Sequence, residues 1–162
     1  FAIPPQHNFL YSYDEMFARE TLYCDGQSYA YGPTYVVESN KIVEKRYPDV
    51  PEKCRPNAPI KTTGAKLFFY DVVANKSREI SVAEAQNFLV DANEVSPDGS
   101  IIKRGGEDFG IFPLLFGGVS DYNTVYIAKN SYSKKLNLIS LSRPGHYPYN
   151  FQFLGWVTSP AQ

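Results

Sequence analysis

Apolar and polar positions alternate in short blocks along most of the chain, and the blocks are divided by turn-forming residues. The clearest run of such blocks fills the last third: Gly110 to Gly118, Tyr122 to Lys129, Lys135 to Ser142 and Tyr149 to Val157. Each is rich in aliphatic, β-branched and aromatic side chains, and Gly-Gly, Lys-Asn-Ser and Arg-Pro-Gly separate them. Short apolar runs punctuated in this way predict successive antiparallel strands joined by short loops. Upstream, Lys66 to Val73 predicts a further strand, central in the sheet, and Thr21 to Cys24 a short one closed by the Asp25-Gly26 turn. Ser100 to Lys103 predicts another short strand after the Pro97-Asp98-Gly99 turn.

Two stretches carry a longer period. After Gly32-Pro33, the positions Tyr35, Val36, Ile42 and Val43 fall on one face of a helix, with Glu38, Lys41, Glu44 and Lys45 opposite, which predicts a helix from about Pro33 to Arg46. Ser81-Val82-Ala83-Glu84 has the form of a capping box, and Ala85, Phe88, Leu89 and Ala92 follow at helical spacing, predicting a second helix over about 82–94. The segment from Phe1 to Glu20 reads as an aromatic arm, paired as an edge strand or draped over the sheet. The expectation is an α+β fold: a helix packed on a twisted antiparallel sheet, with the second helix in an excursion spanning about 60–106. At 162 residues, with no internal repeat or linker, the chain reads as one domain.

Composition narrows the function classes. Hydrophobic content of 43% with 20% charged residues belongs to a folded domain rather than a disordered one. A net charge of −1 removes any general attraction to polyanions. From Asp121 onward, however, Lys129, Lys134, Lys135 and Arg143 face a single carboxylate, a local net of about +3 that leaves about −4 upstream. No run reaches the length of a membrane span. A start at Phe1-Ala2-Ile3-Pro4-Pro5 fits a processed secretory precursor or a trimmed chain. In a secreted protein Cys24 and Cys54 would pair in a disulfide; otherwise they are two buried thiols.

The order of these motifs resembles the microbial guanyl-specific ribonucleases and the fungal ribotoxins. The match rests on Tyr47-Pro48-Asp49, Ile111-Phe112-Pro113-Leu114, Asn123-Thr124-Val125-Tyr126-Ile127, and Leu138 to Ser142 with the loop Arg143 to Tyr149 and Asn150-Phe151. That family uses a carboxylate base, a histidine acid and an arginine on the phosphate. At the matching positions this chain has Ile111, Leu141 and Thr124, with Asp49 at a further histidine position. Ile and Leu transfer no protons, so the resemblance implies a catalytically dead member. Its nearest kin would be the inactive, ribonuclease-like secreted effectors of plant-pathogenic fungi. The implied function is virulence by binding a host protein, an immune receptor among the choices, or host RNA. The protein would be a secreted monomer, with delivery into the host cytoplasm as one route, and without cofactor, metal or membrane attachment.

The candidate binding residues are Lys129, Lys134, Lys135, Arg143, His146, Tyr147 and Tyr149, with Tyr126 and Tyr132 among them: cations for phosphates, tyrosines to stack on bases or to anchor a protein interface. The plain alternative is a solvated hairpin tip with ordinary strand tyrosines. An active ribonuclease using His146 with Glu107 or Asp108 is the rival enzymatic reading, and an aromatic carbohydrate-binding cleft is a third. His7 and His146, far apart in the chain, offer no metal-site spacing.

Overall fold

A computed structural model describes residues 3–14, 20–47, 49–60, 65–104, 124–139 and 151–160. Strand accounts for 54% of them and helix for 6%, so the chain is a β protein and not the expected helix on a sheet. Its centre is a five-stranded antiparallel sheet in the order β7-β6-β1-β12-β8, formed by Lys76–Glu79, Ala65–Asp71, Phe9–Asp14, Phe151–Pro160 and Phe88–Asp91. A three-stranded sheet, in the order β11-β10-β9, is formed by Tyr132–Lys135, Val125–Lys129 and Ile101–Arg104. Two hairpins complete the set: β2 with β3 (Glu20–Cys24 and Gln27–Tyr31), and β4 with β5 (Thr34–Glu38 and Lys41–Lys45).

These pieces stack in three layers. Phe9, Tyr11, Tyr13, Phe68, Tyr70, Phe151 and Trp156 face one side of the central sheet and pack on Val125 and Ile127 of the three-stranded sheet and on Leu136 just after it. Leu10, Leu67, Val90 and Leu154 face the other side and pack on Tyr35 and Ile42 of the β4–β5 hairpin and on Ala85. With both faces covered, the inner strands lose the apolar–polar alternation of a half-exposed strand, which is why β6 reads Leu-Phe-Phe-Tyr. Direct cross-strand pairs give the sheet its aromatic ladder. Phe9 stacks on Tyr70 (centroids 4.8 Å apart) and Tyr11 on Phe68 (5.0 Å), while Trp156 meets Phe9 edge-on at 5.7 Å. The N-terminal arm is therefore neither an edge strand nor a drape: β1 lies at the centre of the sheet, between β6 and β12.

The helix expected over Pro33 to Arg46 is the β4–β5 hairpin. Ser39 and Asn40 both adopt positive φ (49° and 61°), as a two-residue hairpin turn requires. They align Val36 with Val43 and Val37 with Ile42, and four β-branched side chains in two cross-strand pairs favour the pleat over a helix. The helix expected over 82–94 stops after one turn, Val82–Ala85. Ser81 caps it as foreseen, its hydroxyl accepting from the Glu84 N–H at 3.1 Å. Then Phe88–Asp91 leaves as β8 and pairs with the end of β12, burying Val90 completely.

The last third does not form one sheet. Val125–Lys129 and Tyr132–Lys135 pair with each other, whereas Phe151–Pro160 crosses to the central sheet between β1 and β8. Residues 105–123 and 140–150, which hold the expected strand 111–117 and parts of its neighbours, lie outside the described residues. In β12 a bulge sets Leu154 and Gly155 against the Leu10–Tyr11 step. Gly155 lies so close to β8 that a Cβ there would sit 2.5 Å from the Asp91 carbonyl oxygen and 2.6 Å from Val90 Cγ1.

Candidate functional site

The β10–β11 hairpin carries three of the cations expected to form a binding face, and its pleat separates them. Strand neighbours alternate between faces, and Val125 and Ile127 are buried against the central sheet, so positions 125, 127 and 129 point inward. Lys129 follows them. Its ammonium meets Asp98 Oδ2 at 3.2 Å, and both side chains are largely buried, 13% and 14% exposed. Lys134 pairs in register with Ile127 and shares its inward side at the sheet edge, where it is half-buried. Only Lys135 lies outward. There it stands in a cross-strand row with Tyr126 and Lys103, because Tyr126 is opposite Lys135 on one side and Lys103 on the other. Tyr132 sits beside the hairpin turn opposite Lys129. Arg143, His146, Tyr147 and Tyr149 lie outside the described residues, as do Glu107 and Asp108 of the ribonuclease alternative.

Both carboxylate oxygens of Asp98 are engaged. Its Oδ1 accepts from the Ser96 hydroxyl (2.5 Å), the Ser100 hydroxyl (2.7 Å) and the Ser100 N–H (3.2 Å). Its Oδ2 accepts from Lys129 and from the Gln6 N–H at 3.1 Å. Burial opposes its ionisation, but the serine hydroxyls, the Lys129 ammonium and the Gln6 amide outweigh that and hold it well below the usual carboxylate range. Every oxygen is committed to holding the N-terminal segment, the 96–100 turn and β10 together. The arrangement is structural, and it removes Lys129 from any ligand.

Of the four positions matched to ribonuclease catalytic residues, two are described. Asp49 is exposed after β5, and Thr124 is buried just ahead of β10. Ile111 and Leu141 lie outside the described residues. Among the described residues no helix packs on a sheet as in that family: Tyr47 follows a hairpin, and Phe151 belongs to a different sheet from Val125.

A second feature lies on the β2–β3 hairpin. Asp25 and Gly26 both take positive φ (51° and 75°), the conformation of a tight two-residue hairpin turn. The register pairs Glu20 with Tyr31, Leu22 with Tyr29 and Tyr23 with Ser28. Thr21, Tyr23, Ser28 and Ala30 share the outer face, and all four are exposed, Tyr23 by 83%. The hairpin is nevertheless fixed at several points. Cys24 is disulfide-bonded to Cys54 at the end of the 3-10 turn Glu52–Cys54, and Asp25 pairs with Lys53 at 2.5 Å. At the hairpin base, the Tyr31 hydroxyl donates to Glu20, the Tyr31 ring stacks on Tyr47 at 5.6 Å, and the Gly32 N–H donates to the Arg46 carbonyl at 2.9 Å. Arg55 lies over the other ring of that stack, 5.8 Å from the Tyr47 centroid.

The disulfide is the pairing expected for a secreted chain. The exposed position of Tyr23 on this hairpin was not expected. The signal for it was in the sequence, however: an Asp-Gly turn between Thr21-Leu22-Tyr23-Cys24 and Gln27-Ser28-Tyr29-Ala30-Tyr31 is a strong hairpin pattern, and it sets Tyr23 opposite Ser28. Among the described residues no helix is long and apolar enough to cross a membrane. No family model, curated protein or solved structure matches the chain.

Proposed function

We propose that this protein acts by binding another protein, in an oxidising compartment outside the cell that makes it, and that the β2–β3 hairpin is the element that binds. The observation that carries this reading is Tyr23: a large side chain 83% exposed on a hairpin held by a disulfide, an ion pair and an aromatic stack. Single exposed apolar side chains are ordinary on protein surfaces. Here the exposed ring is mounted on a fixed backbone, so little conformational entropy is lost when a partner covers it. Its surroundings on the outer face, Thr21, Ser28 and Ala30, are small. A tyrosine anchor among small hydroxyl residues is the composition of antibody-like contact surfaces.

The charge of the hairpin favours protein over nucleic acid. Between Glu20 and Tyr31 there are two carboxylates and no Lys or Arg, so nothing on it would neutralise a phosphate. The rival reading, RNA binding on the β10–β11 face, retains Lys135 and Lys103 beside Tyr126, but Lys129 is engaged by Asp98 and Lys134 turns inward.

A photo-crosslinking residue placed at Tyr23, and separately at Lys135, tests the choice in host-tissue extract. Protein adducts formed from position 23 and unaffected by nuclease support the reading. Adducts formed only from position 135 and abolished by nuclease would replace it with RNA binding. Incubation with RNA tests the enzymatic alternative: cleavage lost in His146→Ala would make the protein a ribonuclease.

A further inference from the structure

Cys24 Sγ, Cys54 Sγ and a carboxylate oxygen of Asp25 all lie within 4.8 Å of one another. We infer that reduction of the disulfide turns this staple into a binding site for a thiophilic divalent cation, Zn²⁺ foremost. The two thiolates and the carboxylate would be the protein ligands, and the fourth position would be open to water. Zinc takes thiolate sulfur at about 2.3 Å and carboxylate oxygen at about 2.0–2.2 Å in a tetrahedron, so ligand atoms stand roughly 3.5–4 Å apart. Once reduced, the two sulfurs separate from bonding distance toward that spacing, and the Asp25 carboxylate oxygen already lies within 4.8 Å of both. Two thiolates with one carboxylate also select zinc over the hard cations magnesium and calcium, which prefer oxygen throughout.

The backbone that presents these groups does not depend on the S–S bond alone. Asp25 occupies the first left-handed position of the hairpin turn directly after Cys24, and the β2–β3 ladder continues to the Glu20–Tyr31 pair. Cys54 closes a 3-10 turn in which its own N–H donates to the Pro51 carbonyl at 2.9 Å and the Arg55 N–H to the Glu52 carbonyl at 3.2 Å. The Tyr31–Tyr47 stack and the Gly32–Arg46 hydrogen bond keep the hairpin base in place. Both cysteines are half-buried and Asp25 is exposed, so a reductant and then a hydrated ion can reach the site, where the ion would take the Asp25 carboxylate over from its pair with Lys53.

The chemistry balances with a dithiol reductant. One reductant thiolate attacks a protein sulfur and forms a mixed disulfide, and the second displaces the protein thiol. The reductant leaves as its own disulfide, having supplied two electrons and two protons to Cys24 and Cys54. Zinc binding then releases those two thiol protons to solvent. Passage from an oxidising to a reducing compartment would thus exchange a covalent staple for a metal staple at the base of Tyr23.

The test titrates Zn²⁺ alone, against a chromophoric chelator, into oxidised and dithiol-reduced protein and into reduced Asp25→Asn. Reduced wild type should bind one equivalent, oxidised protein none, and Asp25→Asn should bind at least tenfold more weakly. Co²⁺ in place of zinc should give the charge-transfer absorption of two thiolate ligands in the reduced protein. Equal binding by oxidised and reduced protein would overturn the inference. So would equal affinity in Asp25→Asn, or loss of the β-sheet circular dichroism signal on reduction.

Discussion

The Tyr11 hydroxyl accepts the backbone N–H of Ile139 at 3.1 Å, joining residues 128 apart in the chain. The same hydroxyl donates to Ser77 Oγ at 2.9 Å, and Ser77 in turn donates to the Asn137 carbonyl at 3.2 Å. One pleat away, the Tyr70 hydroxyl accepts from the Asn137 N–H at 3.0 Å and donates to Asn75 Oδ1 at 2.5 Å. Two core tyrosines thus receive the backbone of the segment after β11 as a neighbouring strand would, and lock the three-stranded sheet over the central one.

Tyr11→Phe removes the acceptor for Ile139 and the donor for Ser77 while keeping the ring stacked on Phe68. The expected loss is about 1–3 kcal/mol, the cost of leaving a partly buried N–H unpaired. Amide exchange at Ile139 should accelerate with it. Burial pushes the Tyr11 phenol up to about 12. Unfolding releases it to an ordinary value near 10, so the unfolded state gives up its proton first as pH rises. This contribution to stability is full below about pH 10 and is lost between 10 and about 12. Wild type should therefore lose stability through that range more steeply than Tyr11→Phe, as measured by urea midpoints at pH 9 and 11.

Asp98 shows the opposite dependence. Its folded carboxyl titrates below the ordinary value of about 3.9, so the unfolded state takes up the proton first as pH falls. The stabilisation is complete above roughly pH 5 and drains away in acid. Asp98→Ala leaves Lys129 largely buried without its carboxylate and should cost about 3 kcal/mol at pH 7. The gap between wild type and variant in denaturant titrations should narrow by pH 3.

Gly155→Ala tests the close approach of β12 to β8. The added methyl would press on the Asp91 carbonyl and on Val90, and neither can retreat without disturbing the strand pair. A loss of about 1–3 kcal/mol is expected from overpacking, read as a lowered Tm. An unchanged Tm would mean that the two strands stand farther apart.

Strands were legible where β-branched and aromatic runs sat between turn signals: Ala65–Asp71, Val125–Lys129 and Phe151–Pro160 lie close to where the pattern put them. Both expected helices gave way to strand pairing. Tyr35, Val36, Ile42 and Val43 fit a helical face, but Val36 and Ile42 also fit the cross-strand pairs Val36–Val43 and Val37–Ile42, which the left-handed conformations of Ser39 and Asn40 bring into register. After Ala85, pairing with β12 outweighed local helix spacing at Phe88 and Leu89. Sheet membership depends on contacts across the whole chain. That is why the last third could be read as strands but not divided correctly between two sheets. In the candidate site, the Lys129–Asp98 pair was hidden because it joins a turn to a strand 31 residues away.

Free-thiol titration of the unreduced, denatured protein should find no thiols, because Cys24 and Cys54 are bonded and no other cysteine exists. Reduction opens a loop with a sequence separation of 30. It should lower stability by about 3–4 kcal/mol on the chain-entropy model.

Tyr23 is the proposed carrier of binding, in preference to the outward cations Lys103 and Lys135 of the three-stranded sheet. The direct measurement is the affinity of a captured partner for wild type, Tyr23→Ala and the double variant Lys103→Glu/Lys135→Glu, each across a salt series. Tyr23→Ala should weaken binding at least tenfold, about 1.4 kcal/mol, the double variant should stay within twofold of wild type, and salt should have little effect. Full affinity in Tyr23→Ala, together with loss of binding in the double variant and a log–log salt slope of about −0.7 for each phosphate contacted, would place binding on the cationic face instead.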